Sequence, residues 1–347
     1  MAANDQAVKV SVIIPVYNAA VYISECLNSV LQQCHQDLEI LLVDDGSTDH
    51  SVRVIKSYQD KRIKLICSAN KGVSSARNIG IRASTGNYLF FLDADDSLPE
   101  TAISELVEAL RINNSDISIG SYVQFSSASA ELEKTIYPDN RTLDRNAIFQ
   151  YICQYLEAPN KSPLFVFSWG RLYSADLIKN NQVYFNEHLS TFEDVQFNLD
   201  LLKFIDNISY TPKIVYRHRL HPLNKSATTQ WKKSPEELFG FVAPVLSCTD
   251  LLKDELGNVK ALRLVEQCLC SYTIIQLIRL CGGLKLSSFY LIYRYIKQLV
   301  NTDWLVSAIQ NYKAAAGNST LIPAQIARRR PLMVLIACYL HARKRYR

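Results

Sequence analysis

Over the first 125 residues, β-branched apolar runs alternate with segments of helical spacing, and three of the runs end in polar, mostly acidic clusters. This alternation constrains the fold more than any other feature. Val8–Val16 (VKVSVIIPV) is a near-continuous run of the kind found in strands buried on both faces. Tyr22, Ile23, Cys26, Leu27, Val30 and Leu31 then recur at helical spacing. Further strands are predicted at Leu38–Val43, Ile63–Cys67, Tyr88–Leu92 and Asp116–Phe125. Helices are predicted between them around Ser51–Tyr58, over Ser74–Ala83, and from Pro99 to about Asn113. Such alternation over short connections predicts an α/β fold, an open parallel sheet with helices on both faces. Sheets of this kind bind ligands beyond the carboxyl ends of their strands. Tyr17-Asn18, Asp44-Asp45 and Asp93-Ala94-Asp95-Asp96 all fall at such ends, and three clusters at one edge imply one site.

The rest of the chain is organised differently. Glu131–Tyr137 fits part of a hairpin, Asp144–Glu157 a helix, and PLFVFSWGRLYSADLI is rich in aromatic residues. FEDVQFNLDLLKF reads as a helix with Glu193 and Asp194 in its first turn. Short strands around Ile208–Tyr210 and Ile214–Tyr216 lead into RHRLHPLNKSATT, which reads as a mobile loop. From about 234 onward strand signals vanish, and helical patterns run through 235–254, 260–281, 286–300, 303–314 and 323–342. The expected divisions are 1–125, 126–230 and a helical appendage at 231–347.

Composition excludes several classes. With 48% apolar and 20% charged residues, the chain is an ordinary globular one. Nine scattered cysteines with no metal-binding spacing read as small buried hydrophobes in a reducing compartment. The opening MAANDQAVKV has no signal-peptide pattern, and no run of 18 apolar residues occurs, so neither export nor a transmembrane helix is expected. A cytosolic-side protein is the expectation.

The residues suggest chemistry of their own. Asp93 and Asp95, spaced D-x-D past an apolar strand, are hard oxygen ligands suited to Mg²⁺ or Mn²⁺ shared with a diphosphate. Asp96 or Ser97 equally suits a helix N-cap before Pro99. In Asp44-Asp45-Gly46-Ser47-Thr48-Asp49 the glycine turn and cap explain the second half but not two adjacent carboxylates, which suit base N–H or ribose hydroxyl donors. Arg77 lies near a helix start, where a basic residue is unusual, and fits either an ion pair with a strand-end carboxylate or a ligand contact. The pair Glu193-Asp194 is also ordinary helix N-terminal charge.

Taken in order and spacing, VSVIIPVYN, LLVDDGSTD, NKGVSSARNIGI, GNYLFFLDADD and FED closely resemble family 2 glycosyltransferases of GT-A fold. The resemblance is strong over Val8–Glu108 and continues to Lys225. No G-x-G-x-x-G follows the first strand, which sets the chain apart from dinucleotide-binding units. The resemblance implies a mostly parallel GT-A sheet whose first part, 1–125, binds a nucleotide sugar and whose second, 126–230, carries the acceptor side and catalytic base. Pro15, Val16, Tyr17 and Asn18 would lie under the base, and Asp45, with Asp44, would bind base or ribose. Asn70 and Arg77 would hold the base and diphosphate side, and Asp93, Ala94 and Asp95 would form the metal signature, Asp95 being the more direct ligand. Asp194 would be the catalytic base with Glu193 in reserve, YRHRLHPLNKS a loop closing over the donor with Arg217, Arg219 or a nearby histidine on phosphate, and Trp169 an acceptor contact. The implied reaction inverts the anomeric centre of a nucleoside-diphosphate sugar, such as a UDP-sugar, on a glycan or lipid-linked acceptor in bacterial surface-polysaccharide synthesis.

Two rival readings use the same residues: a nucleotidyl- or sugar-phosphate transferase, and an inactive nucleotide- or glycan-binding scaffold. The C-terminal ARRRPLMVLIACYLHARKRYR carries Arg328, Arg329, Arg330, Arg343, Lys344, Arg345 and Arg347 around an apolar run of about ten residues, and no acid. It suits peripheral attachment at an anionic membrane surface, or a helix docked on its own domain with a solvated tail. No nucleic-acid partner is expected, and the helical region is a candidate surface for a homo-oligomer.

Overall fold

The structure is a computed structural model that describes residues 8–126, 129–159, 164–221, 239–282, 284, 286–314 and 319–345. β1 (Val10–Val16) and β2 (Leu38–Asp44) are buried at every position, as unbroken apolar runs require. β3 (Ile63–Cys67) pairs in parallel with β2, and β4 (Tyr88–Phe91) in parallel with β1. Register decides where the strands end. Val16 lies opposite Asp44, and Ile13 opposite Phe91, so Pro15 and Asp93 sit level, each two residues further on. The three polar clusters therefore leave the sheet at one edge.

Helices α1 (Ile23–Leu31), α2 (Ser51–Lys56), α3 (Val73–Ala83) and α4 (Ala102–Asn113) separate these strands. α1 buries Ile23, Cys26, Leu27 and Val30, the stripe its spacing predicts. Together with Val12, Ile14, Ile40, Leu42 and Phe90 they form the core.

Beyond α4 come β5 (Ile117–Ser126), β6 (Ser129–Lys134), β7 (Arg141–Asp144), α5 (Arg145–Glu157), β8 (Arg171–Ser174), α6 (Ala175–Asn180), α7 (Glu193–Leu201) and β9 (Asn207–Arg219). The strand order is β3-β2-β1-β4-β8-β5-β9-β7, with β6 on β5. β8 runs antiparallel to both β4 and β5, β7 antiparallel to β9, and β5 parallel to β9. The sheet is thus mixed: β3-β2-β1-β4 forms the expected parallel block, and β5 with β9 adds a further parallel pair. β8 has four residues, too few for a period, and tertiary pairing alone defines it. The two short strands expected near 208–216 are one strand. Its pairing jumps from Thr211 to Ile214 across Pro212, which has no N–H to give the ladder.

The chain divides into two compact units, Met1–Ile148 with Leu164–Ser226, and Phe149–Pro163 with Ala227–Arg347. The helical unit thus includes a segment expected in the middle of the chain, and there the Tyr155 and Tyr272 hydroxyls meet at 2.6 Å. Its helices are α8 (Val242–Leu256), α9 (Asn258–Gly282), α10 (Phe289–Leu299), α11 (Asp303–Asn311), α12 (Leu321–Ala327) and α13 (Pro331–Arg345). Leu277, Ile296, Leu305, Ile309, Ile322, Val334 and Cys338 pack into one core. The single helix expected over 323–342 is broken, with Arg329 at φ 50 and Pro331 opening α13. α9 is long and apolar enough to cross a bilayer by length and composition alone, but 67% of its most apolar window is buried in the structure, as in a core helix. All nine cysteines are free thiols, six of them buried.

Candidate active site

The D-A-D-D turn after β4 is held from behind by the end of β9. Ser97 and Arg217 exchange backbone hydrogen bonds at 3.2 and 2.9 Å. The Tyr216 hydroxyl donates to Asp96 Oδ2 at 2.7 Å and accepts from the Asp93 N–H at 3.2 Å. Arg219 donates its backbone N–H to Asp96 Oδ1 (2.7 Å) and its Nε–H to the Asp95 carbonyl (2.8 Å). Asp96 is therefore the buried anchor of the turn. Burial, then the neighbouring Asp93 and Asp95, pushes its pKa up to about 9. Asp95 stays partly open, 38% exposed, with His221 Nε2 at 2.6 Å from its Oδ2.

Arg77 joins the D-A-D-D turn to the Glu193-Asp194 pair. Its guanidinium lies 2.9 Å from Asp93 Oδ1, 3.0 Å from Asp194 Oδ1 and 3.8 Å from Glu193 Oε1. Burial alone would lower its pKa, but Asp194, Asp93 and Glu193 outweigh that and raise it, so the charge is permanent. The approach of α7 has an apolar cause. Phe197 on α7 stacks on Phe185 at 4.1 Å, and Phe91 at the end of β4 meets both edge-on at 5.7 and 5.2 Å. Arg77 lies over Phe185 at 5.2 Å. Asn78, one residue on, binds the Phe185 backbone in both directions at 2.8 and 2.9 Å. Phe192, at φ 66, then turns the chain so that Glu193 and Asp194 open α7 facing Arg77.

The two strand-end carboxylates at β2 differ in use. Asp45 accepts the backbone N–H groups of Lys71 (2.9 Å) and Gly72 (2.7 Å), which fixes the loop into α3. Asp44 accepts weakly from Ser47 N–H at 3.3 Å, and its Oδ1 is buried with no hydrogen-bond partner. Gly46, at φ 75, admits the Asn70 backbone so closely that a Cβ would lie 3.1 Å from its nitrogen. Asn18, at φ 50, accepts at Oδ1 from the N–H groups of Thr48 (2.8 Å) and Asp49 (3.2 Å). It clasps the β1 loop to the β2 loop.

The sequence-predicted residues divide accordingly. Tyr17 and Asn70 are exposed, while Pro15, Val16 and Ala94 are buried. Arg77, Asp93, Asp194 and Glu193 meet directly. Trp169 needs correction as an acceptor contact. It is 5% exposed, stacked on Tyr216 at 4.4 Å and on Phe167 at 4.3 Å, with no open face for a sugar. Arg217 and Arg219 are likewise committed to the protein rather than to phosphate. Arg217 pairs with Glu131, and Arg219 pairs with Glu25 at 2.6 Å while lying over Tyr22 and Phe125. Of the loop expected at 217–229, residues 217–219 belong to β9 and 222–229 lie outside the described residues. Sequence reasoning missed Asp96 as the anchor and missed Tyr216 and His221. The cluster YRHRLH was visible, but its partners in the D-A-D-D turn lie 120 or more positions earlier.

The residues present fit a divalent cation held by few protein ligands. Among the described residues no group of three His, Cys, Asp or Glu could hold a metal, so an all-protein cage is absent there. Asp95 and Asp93 nevertheless offer partly exposed hard oxygens on one turn. A cation sharing its shell with diphosphate and water needs no more.

Comparison with known proteins agrees with this geometry. Residues 11–176 match the model of glycosyl transferase family 2. The uncharacterized glycosyltransferase EpsJ of Bacillus subtilis (strain 168) is 32% identical over 231 residues, 66% of this chain and 65% of EpsJ. The poly(ribitol-phosphate) beta-glucosyltransferase of Bacillus spizizenii is 28% identical over 247 residues, 69% of this chain but 36% of that protein. The chain thus spans less than two thirds of the length of either relative. The crystal structure of S. aureus TarS 1–349 in complex with UDP-GlcNAc has a TM-score of 0.71 at 17% identity, over 97% of this chain and 92% of that one. That likeness is one of fold, the GT-A type. The match to glycosyl transferase family 2 thus holds over residues 11–176, just under half of this chain.

Proposed function

We propose that the protein transfers a sugar from a nucleoside-diphosphate donor, a UDP-sugar, to a hydroxyl of a glycan or lipid-linked glycan during bacterial surface-polymer synthesis. The observation that carries this reading is the single guanidinium of Arg77 between Asp93 and Asp194, at 2.9 and 3.0 Å. It sets a diphosphate-side carboxylate and a base within one site. UDP-GlcNAc bound to TarS and the acceptor named for the Bacillus spizizenii relative support the choice of donor and of polymer.

In this reading Tyr17 and Asn70 border the base, and Asp44 Oδ1 supplies the spare acceptor for a base N–H or a ribose hydroxyl. Asp95, with Asp93, would hold Mn²⁺ or Mg²⁺, which when bound neutralises charge on the departing diphosphate. Asp194 takes the proton of the acceptor hydroxyl as it attacks the anomeric carbon. One displacement with one base inverts that centre. Arg77 holds Asp194 in place at 3.0 Å, and Glu193 stands beside it.

The test is thermal stabilisation by UDP, GDP, dTDP and CMP with and without Mn²⁺, for the wild type and Asp95→Asn. One diphosphate at 100 times its dissociation constant should add about 2.7 kcal/mol in the wild type. The metal-dependent part should vanish in Asp95→Asn. No shift with any nucleotide, or full turnover in both Asp95→Asn and Asp194→Asn, would remove the reading.

A further inference from the structure

Helix α13 is apolar on two faces, and only one is covered. Val334, Leu335, Cys338 and Ala342 are buried in the core of the helical unit. Leu332, Met333, Ile336 and Leu340 are 49, 43, 40 and 55% exposed. At about 100° per residue, Leu332, Ile336, Leu340 and Arg343 fall within about 80° of the helix surface, and Met333 and Lys344 within about 120°. The uncovered face is thus one stripe with cations at its C-terminal end. Arg328, Arg329 and Arg330 precede its N-terminal end, and no acidic residue follows Asp303 in the sequence. Arg329 is paired with Asp303 at 2.6 Å; Arg328 and Arg330 are exposed.

We infer that this face binds the surface of an anionic lipid bilayer. Four large apolar side chains between two cationic clusters match an interfacial helix, which sinks its apolar face to the acyl boundary and leaves its cations among acidic headgroups. Leu332 to Leu340 spans about 12 Å, against a hydrocarbon core of about 30 Å, so the helix lies on the membrane and does not cross it. A second copy of the chain fits less well. The stripe offers on the order of a few hundred Å², well below the roughly 800 Å² per partner of a stable interface. Nucleic acid would engage the arginines but leave the stripe in water.

The experiment is co-sedimentation of the full chain with vesicles of phosphatidylcholine alone, or of phosphatidylcholine mixed with phosphatidylglycerol, across a salt series. The wild type should bind the mixed vesicles at least about tenfold more tightly than the neutral ones, less so as salt rises. Ile336→Glu with Leu340→Glu should lower that binding at least about tenfold. Circular dichroism and the melting shift with nucleotide should not change, which separates this test from that of the transfer reaction. Arg328→Gln with Arg330→Gln should weaken binding about fivefold per cation. The inference is overturned by no binding to mixed vesicles or by equal binding of the Glu variant. It is equally overturned by a dimer that the Glu variant dissolves, or by tighter binding to duplex DNA than to mixed vesicles.

Discussion

Removing the Arg77 guanidinium would leave Asp93, Glu193 and Asp194 facing one another across a buried gap, since all three are set against that one cation. Arg77→Ala should lower unfolding free energy by about 3–5 kcal/mol, the cost of stranding partly buried charge, and urea denaturation measures it. Arg77→Lys keeps the charge but loses the planar fork that reaches two carboxylates, so it should fold yet lose much of its turnover. Asp194→Asn is the sharper change. It keeps the shape and one acceptor for Arg77 while removing the base. Turnover should fall about 10²–10⁴-fold with the nucleotide melting shift retained. A loss of nucleotide binding in this variant would move Asp194 from proton transfer to donor binding.

Two features of the parallel block carry predictions for whole elements. Glu39 on β2 is buried and accepts from Lys64 Nζ (2.6 Å), Ser11 Oγ (2.7 Å) and Thr85 N–H (2.8 Å), tying β1, β2, β3 and the chain before β4 together. Burial alone would raise its pKa, but these hydrogen bonds, led by Lys64, outweigh it and bring the value down to about 2. A depressed carboxylate stabilises the fold fully above its unfolded pKa and loses that contribution as pH falls through the folded value. From about 4.3 unfolded to about 2 folded, the contribution is on the order of 3 kcal/mol. The wild type should therefore lose stability between about pH 5 and 2, whereas Glu39→Gln should be flatter over that window in pH-dependent urea denaturation. Gly80 on α3 packs against β1, where an added Cβ would lie 2.3 Å from Ile13 Cγ2. Gly80→Ala should cost about 1–3 kcal/mol despite the better helix propensity of alanine. Ile13→Ala, which removes Cγ2, should cost less in the Gly80→Ala background than in the wild type.

For the whole molecule, every candidate site residue from Tyr17 to His221 lies in the first unit, and the helical unit has its own core. Nucleotide binding should consequently slow amide exchange around 15–18, 44–49, 70–77 and 93–97. Exchange within α9 to α13 should remain as in the free protein. Protection spread equally over both units would show coupling that the separate cores do not suggest.

What the sequence determined by itself is the parallel block and its chemistry. Unbroken β-branched runs and short connections specified β1 to β4 to within a few residues, and local order placed the acidic clusters at their ends. Arg77 was open between ion pair and ligand contact because its partners Asp93 and Asp194 lie 16 and 117 positions away. Tertiary structure alone supplied the ion pairs, through the stack of Phe185 on Phe197 that carries α7 to β4. It also decided that Asp45 is spent on a loop, that Trp169 is covered, and that β8 enters antiparallel between β4 and β5. Periodicity and propensity act over a few residues, so they fix elements. Which side chains remain open at the sheet edge depends on contacts between segments far apart in the chain, and only the packed fold brings those together.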